Sequence, residues 1–121
     1  MTNRSRSDET TAGRSNDPPV LILTSLAAGE KHGYALLQDI EEFAGVRLGP
    51  GTLYGAIGRL EERGLIEAVG DSGRRRRSSG DMAGAEALRV ALDGLRAIVD
   101  EGSVRLARRP AAALSSTGSA A

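Results

Sequence analysis

The sequence predicts a mainly α-helical domain with one small β-hairpin, continued by a long helix. Three observations predict it. Residues 34–44 and 50–64 are short amphipathic segments separated by a Gly-containing turn. Residues 65–79 read as strand, turn and returning strand around Gly70-Asp71-Ser72-Gly73. Beyond them, Leu88, Leu92, Leu95, Val99, Gly102 and Leu106 recur at spacings of 4, 3, 4, 3 and 4, the apolar seam of a coiled coil.

The chain has 121 residues, room for one small domain. Aromatics are only 2% of it, so the core must be built from Leu, Ile, Val and Ala. Residues 1–17 have almost nothing to bury and are expected to form a disordered tail. Asp17 offers a cap, Pro18 and Pro19 suit a first helical turn, and residues 20–28 are apolar apart from Thr24 and Ser25. This predicts a short buried helix stopped by Gly29. Lys31-His32-Gly33 makes the turn into a second helix, whose inner stripe is Leu36, Leu37, Ile40 and Phe43.

The third helix organises the rest. Gly49 is its N-cap and Pro50 a good first residue, since proline's missing N–H would have had no intrahelical partner. Leu53, Ile57 and Leu60 form its apolar stripe, and Gly64 closes it. The opposite face carries Gly51, Gly55, Gly58, Arg59 and Glu62, flanked by Thr52 and Tyr54. Each glycine costs roughly 1 kcal/mol relative to Ala in a helix. A large partner that must approach the backbone closely, such as DNA, would account for that cost. Two short helices with the second in the recognition position, followed by a β-hairpin, outline a winged helix-turn-helix. The tip of that wing is Arg74-Arg75-Arg76-Arg77. Asp81 can cap the last helix, residues 82–109, and residues 110–121 are expected to be a second disordered tail. The winged domain then occupies residues 18–81. The last helix is expected to pack partly on its own domain and partly, through Leu88, Leu92, Leu95, Val99 and Leu106, on a second copy.

Charge and composition narrow the function. Formal net charge is zero, but residues 18–71 carry four basic groups against eight acidic, and residues 72–109 nine against five. Nucleic-acid contact is therefore local rather than a general polyanion attraction. One His, no Cys and no paired carboxylates outside helical surface positions leave no nucleophile–base set. No metal site or cofactor is indicated. Gly49-Pro50-Gly51-Thr52 lacks the Lys-Ser/Thr ending of a phosphate-binding loop. No segment approaches the roughly 20 apolar residues of a membrane span, and the absence of cysteine fits a reducing cytoplasm.

Several motifs together resemble the PadR family of bacterial transcriptional regulators. They are Leu23-Thr24-Ser25-Leu26, Lys31-His32-Gly33-Tyr34, Pro50-Gly51-Thr52-Leu53-Tyr54, the run from Arg59 to Ile66, and the Gly-Arg-Arg-Arg of the wing. The similarity covers roughly residues 20–100 and is closest to the branch with a single C-terminal dimerisation helix. It implies a homodimer that binds inverted-repeat double-stranded DNA, acting as a repressor relieved by a small apolar or aromatic effector. The residues expected at DNA are His32, Tyr34, Gly51, Thr52, Tyr54, Gly55, Arg59 and Arg74 to Arg77. Arg59 is the candidate for a base edge and the wing arginines for phosphates. This chain departs from the family in having Gly49 where Ser is common, and Gly58 where a basic residue often stands. Ser78-Ser79-Gly80-Asp81 replaces the usual tyrosines and Leu-Thr, which predicts a loosely anchored wing that orders on DNA. The alternative function is a winged-helix module that binds a protein and not DNA.

Overall fold

A computed structural model describes residues 17–110; both predicted tails, Asp17 and Pro110 apart, lie outside the described residues. The elements are α1 (Pro18–Ala27), β1 (Lys31–His32), α2 (Gly33–Ala44), α3 (Pro50–Glu62), β2 (Ile66–Val69), β3 (Arg75–Ser78) and α4 (Ala83–Ala107). The chain divides into two units between Leu88 and Arg89.

The first unit is a winged helix-turn-helix. Leu21, Ile22, Leu23 and Leu26 of α1 meet Leu36 and Ile40 of α2 and Leu53, Ala56, Ile57 and Leu60 of α3 in one core, closed by Val46, Leu65, Ile66 and Leu88. The stripe expected on α3 is thus the buried one. Phe43 is a correction: it is 46% exposed, because α2 has given its inward face to Leu36 and Ile40 by that turn and Val46 fills the core beyond it. Asp17 stands at the N-cap of α1 but its side chain makes no capping bond. The Asp81 carboxylate does cap, accepting from the Ala83 N–H at 3.0 Å. That bond, followed by one with Ser79, holds its carboxyl below the ordinary value.

Three hydrogen bonds satisfy the polar residues inside α1. The Thr24 hydroxyl donates to the Val20 carbonyl, the buried Ser25 hydroxyl donates to Asp39 Oδ2 at 2.6 Å, and Lys31 Nζ donates to the Ser25 carbonyl at 2.7 Å. The last two tie α1 to α2 and β1, at positions where an unpaired group would be costly.

At the end of α3 the Leu65 N–H reaches the Leu60 carbonyl and the Gly64 N–H the Glu61 carbonyl, with Gly64 at φ +74°. This is a Schellman closure, and it delivers the chain straight into β2. The sheet is antiparallel with order β1-β3-β2. Sequence reading missed β1, because two residues carry no periodicity; Lys31 and His32 read as turn alone but pair with Arg76 and Arg75. The arginine strand is therefore central. Ser79 ties the base of the wing to the end of α3: its N–H donates to the Leu65 carbonyl, and its hydroxyl to the Gly64 and Leu65 carbonyls.

Met82, at the entrance to α4, has φ +73° and is 64% exposed. Left-handed backbone costs a residue with a Cβ about 1–2 kcal/mol. Met82→Gly is expected to raise stability by roughly 1 kcal/mol, read as a higher urea midpoint with unchanged slope.

The second unit, from Arg89, continues α4. Its large apolar side chains, among them Leu92, Leu95, Ile98, Val99 and Leu106, are exposed. Leu88 departs from the predicted dimer seam: it belongs to the core of the first unit. Among the described residues, no helix is long and apolar enough to cross a membrane.

Candidate nucleic-acid interface

The first half of α3 presents Gly51, Thr52, Tyr54 and Gly55 outward, and Arg59 follows one turn later. Nothing stands over Gly51 or Gly58, so the backbone of this face is open. At Gly55 an added Cβ would lie 3.6 Å from Arg59 Nη1. The Arg59 side chain therefore runs back along the helix over the glycine.

Beside this face lies a cleft of about 820 Å³. Its walls are His32 of β1, Gly33 and Tyr34 at the start of α2, Tyr54 of α3, and the wing from Gly70 to Arg76. Tyr34 and Tyr54 are 68% and 52% exposed. The Gln38 amide reaches the Tyr34 hydroxyl at 3.4 Å, while the Tyr54 ring lies directly over Gly33. His32, Tyr34, Tyr54, Arg74, Arg75 and Arg76 thus meet around one opening, through the β1–β3 pairing that sequence reading did not foresee.

The four arginines are not equivalent. Arg75 pairs with Glu30 at 3.2 Å and Arg77 with Glu67 at 2.6 Å, both half-exposed. Such pairs in water hold their partners weakly. Arg76 has turned inward: its side chain is only 17% exposed and pairs with Glu61 at 2.7 Å. Its Nη1 donates to the carbonyls of Gly73 and Arg74, both at 2.9 Å. The structure therefore makes Arg76 a clamp on the wing, in contrast to the outward cation expected of it. Arg74 has no ion partner among the described residues; its N–H is held by the Ser72 hydroxyl. Period-two alternation along a strand could have separated Arg76 from Arg75 and Arg77 in advance. Nothing in the sequence marked Glu30, Glu61 and Glu67 as their partners. Among the described residues no acidic or His group could hold a metal ion.

The model of the "Transcriptional regulator PadR-like family" matches residues 22–79, from the first turns of α1 to the end of the wing. A protein of Streptomyces fradiae, described as an uncharacterized 37.1 kDa protein in transposon TN4556, is 47% identical over 75 residues. That stretch is 62% of this chain and 22% of that protein, so the chain spans about a fifth of the relative's length. A PadR family transcription regulator from Clostridium difficile superposes with a TM-score of 0.62 at 23% identity, covering 75% of this chain and 99% of that one. One from Eggerthella lenta gives 0.63 at 24%, covering 90% and 97%. At those identities the two structures establish the winged fold, and the family match carries the class. Members of this family are transcription regulators rather than enzymes. Residues 22–79 of this chain are a PadR-like transcriptional regulator domain.

Proposed function

We propose that this regulator is a cytoplasmic homodimeric repressor that binds an inverted repeat in double-stranded DNA. The observation that supports this reading is the cleft: the exposed tyrosines of α2 and α3 and the one unpaired wing arginine surround it, next to the open glycine face. Thr52, Tyr54, Tyr34 and the amides near Gly51 contact phosphates, where the positive end of α3 helps. Arg59 reads a guanine edge in the major groove. Arg74 and, after exchanging their carboxylates for phosphates, Arg75 and Arg77 supply salt-dependent affinity. Leu92, Leu95, Val99 and Leu106 pair with a second copy, and a small apolar effector enters among them to release the DNA.

Selection of duplexes from a random pool, followed by gel shift at two salt concentrations, tests the reading. Arg59→Ala is expected to lose about 1–3 kcal/mol of discrimination at one base position. Arg74→Ala is expected to weaken all duplexes alike and to flatten the salt slope by about 0.9. No bound duplex at low salt, or binding without a salt slope, would favour a protein-interaction module. Sedimentation as a monomer at working concentration would sink the two-fold arrangement.

A further inference from the structure

We propose that Glu61 is a positioning residue for the DNA-binding face: through Arg76 it fixes the wing at one setting against α3, and it withholds Arg76 from phosphates. The inference rests on the DNA-binding reading above. One guanidinium joins the two elements. Its Nε donates to Glu61 Oε2 in the last turn of α3, and its Nη1 to the carbonyls of Gly73 and Arg74 in the wing turn. The carbonyl of Arg74 belongs to the residue whose side chain is the wing's free cation, so the clamp acts directly on that cation's backbone.

The other two pairs cannot do this. Glu67 and Arg77 are cross-strand neighbours within the sheet, and Glu30 precedes β1. Of these three ion pairs, the one between Glu61 and Arg76 links the recognition helix to the wing. The Arg76 side chain is also the most sheltered of the three arginines, so this pair is screened least by salt. With Glu61 present, Arg76 is neutralised and turned in. With Glu61 gone, a fourth arginine is released at the wing while the turn carrying Arg74 loses its tie to the helix.

This gives opposite signs on two kinds of DNA. A Glu61→Ala chain is expected to bind a scrambled duplex several-fold more tightly, with a salt slope steeper by about 0.9, one further phosphate. Discrimination between a duplex selected from a random pool and the scrambled one falls roughly tenfold. Arg74→Ala costs less in the Glu61→Ala background than alone. In the free protein, amide exchange across residues 70–74 accelerates, with a thermal melt confirming the fold. Glu61→Gln, which keeps an acceptor for the Arg76 Nε–H, is expected midway between wild type and Glu61→Ala, and serves as the comparison should Glu61→Ala melt below the assay temperature. If wild type binds and both Glu61 variants keep its ratio, slope and wing exchange, the positioning role is overturned and the DNA reading stands. A wild-type chain that binds neither duplex overturns both.

Discussion

Gly84→Ala is expected to destabilise the first unit by about 2 kcal/mol and to lower the melting temperature by roughly 10 °C. A Cβ at residue 84 would collide with the backbone carbonyl oxygen of Leu65 and stand 3.5 Å from Ser78 Cβ. That carbonyl cannot swing aside. It accepts from both the Ser79 N–H and the Ser79 hydroxyl, and Leu65 itself is fixed by its N–H bond to Leu60. Relaxation therefore has to move either α4 or the strand that opens the wing. Overpacking of this kind costs up to about 3 kcal/mol, against which replacing Gly by Ala inside a helix returns about 1. Gly94 lies on the same helix with nothing near its Cβ position. Gly94→Ala should keep only the gain, a rise in stability of about 1 kcal/mol. Parallel denaturant melts of the two variants check the pair; equal and small effects would mean that α4 does not close onto Leu65 as described.

The contrast between those glycines is also a measure of what the sequence makes legible. Leu53, Ile57 and Leu60 declare the buried face of α3 because burial follows helical period, and all three are in the core. The wing is readable for the same reason: its strands are flanked by a Gly-Asp-Ser-Gly turn that has few other uses. Nothing local distinguishes Gly84 from Gly94, since the difference is a carbonyl brought from 19 residues away. The same limit hides β1, which exists only because the wing strand lies beside it, and it hides the partners of the arginines. Strand alternation can mark which arginine of the run turns inward, but the run itself names none of the groups they meet. In the fold, Glu30, Glu61 and Glu67 arrive from three different segments and leave Arg74 as the unpaired one. The seam of α4 divides in a similar way. Leu88 falls on the heptad pattern as well as Leu92 does, yet the core of the first unit has already taken it.

Gly33→Ala is expected to separate stability from DNA binding, leaving the first within about 1 kcal/mol of wild type and weakening the second tenfold or more. A Cβ at residue 33 would overlap the Tyr54 hydroxyl and approach its ring carbon Cζ at 2.8 Å. Here, unlike at Gly84, the obstructing atoms are the far end of a half-exposed side chain that can rotate out. Gly33 is also not among the positive-φ residues, so the alanine backbone is unstrained, and it begins α2 with a better helix former. The fold therefore yields by expelling the tyrosine, and the cleft loses the hydroxyl proposed to meet a phosphate. A hydrogen bond to a charged group contributes about 1.5–3 kcal/mol, which sets the expected loss. Tyr54→Phe alone should reproduce most of it, and adding Tyr54→Phe to Gly33→Ala should change affinity little further, because both remove the same contact. With Tyr34 and Tyr54 the only tyrosines and no tryptophan in the chain, tyrosine fluorescence of the Tyr34→Phe protein reports directly whether residue 54 has moved. Full affinity with a displaced ring would remove Tyr54 from the interface, whereas a collapse in melting temperature would make its seat over Gly33 a requirement of the fold and not of recognition.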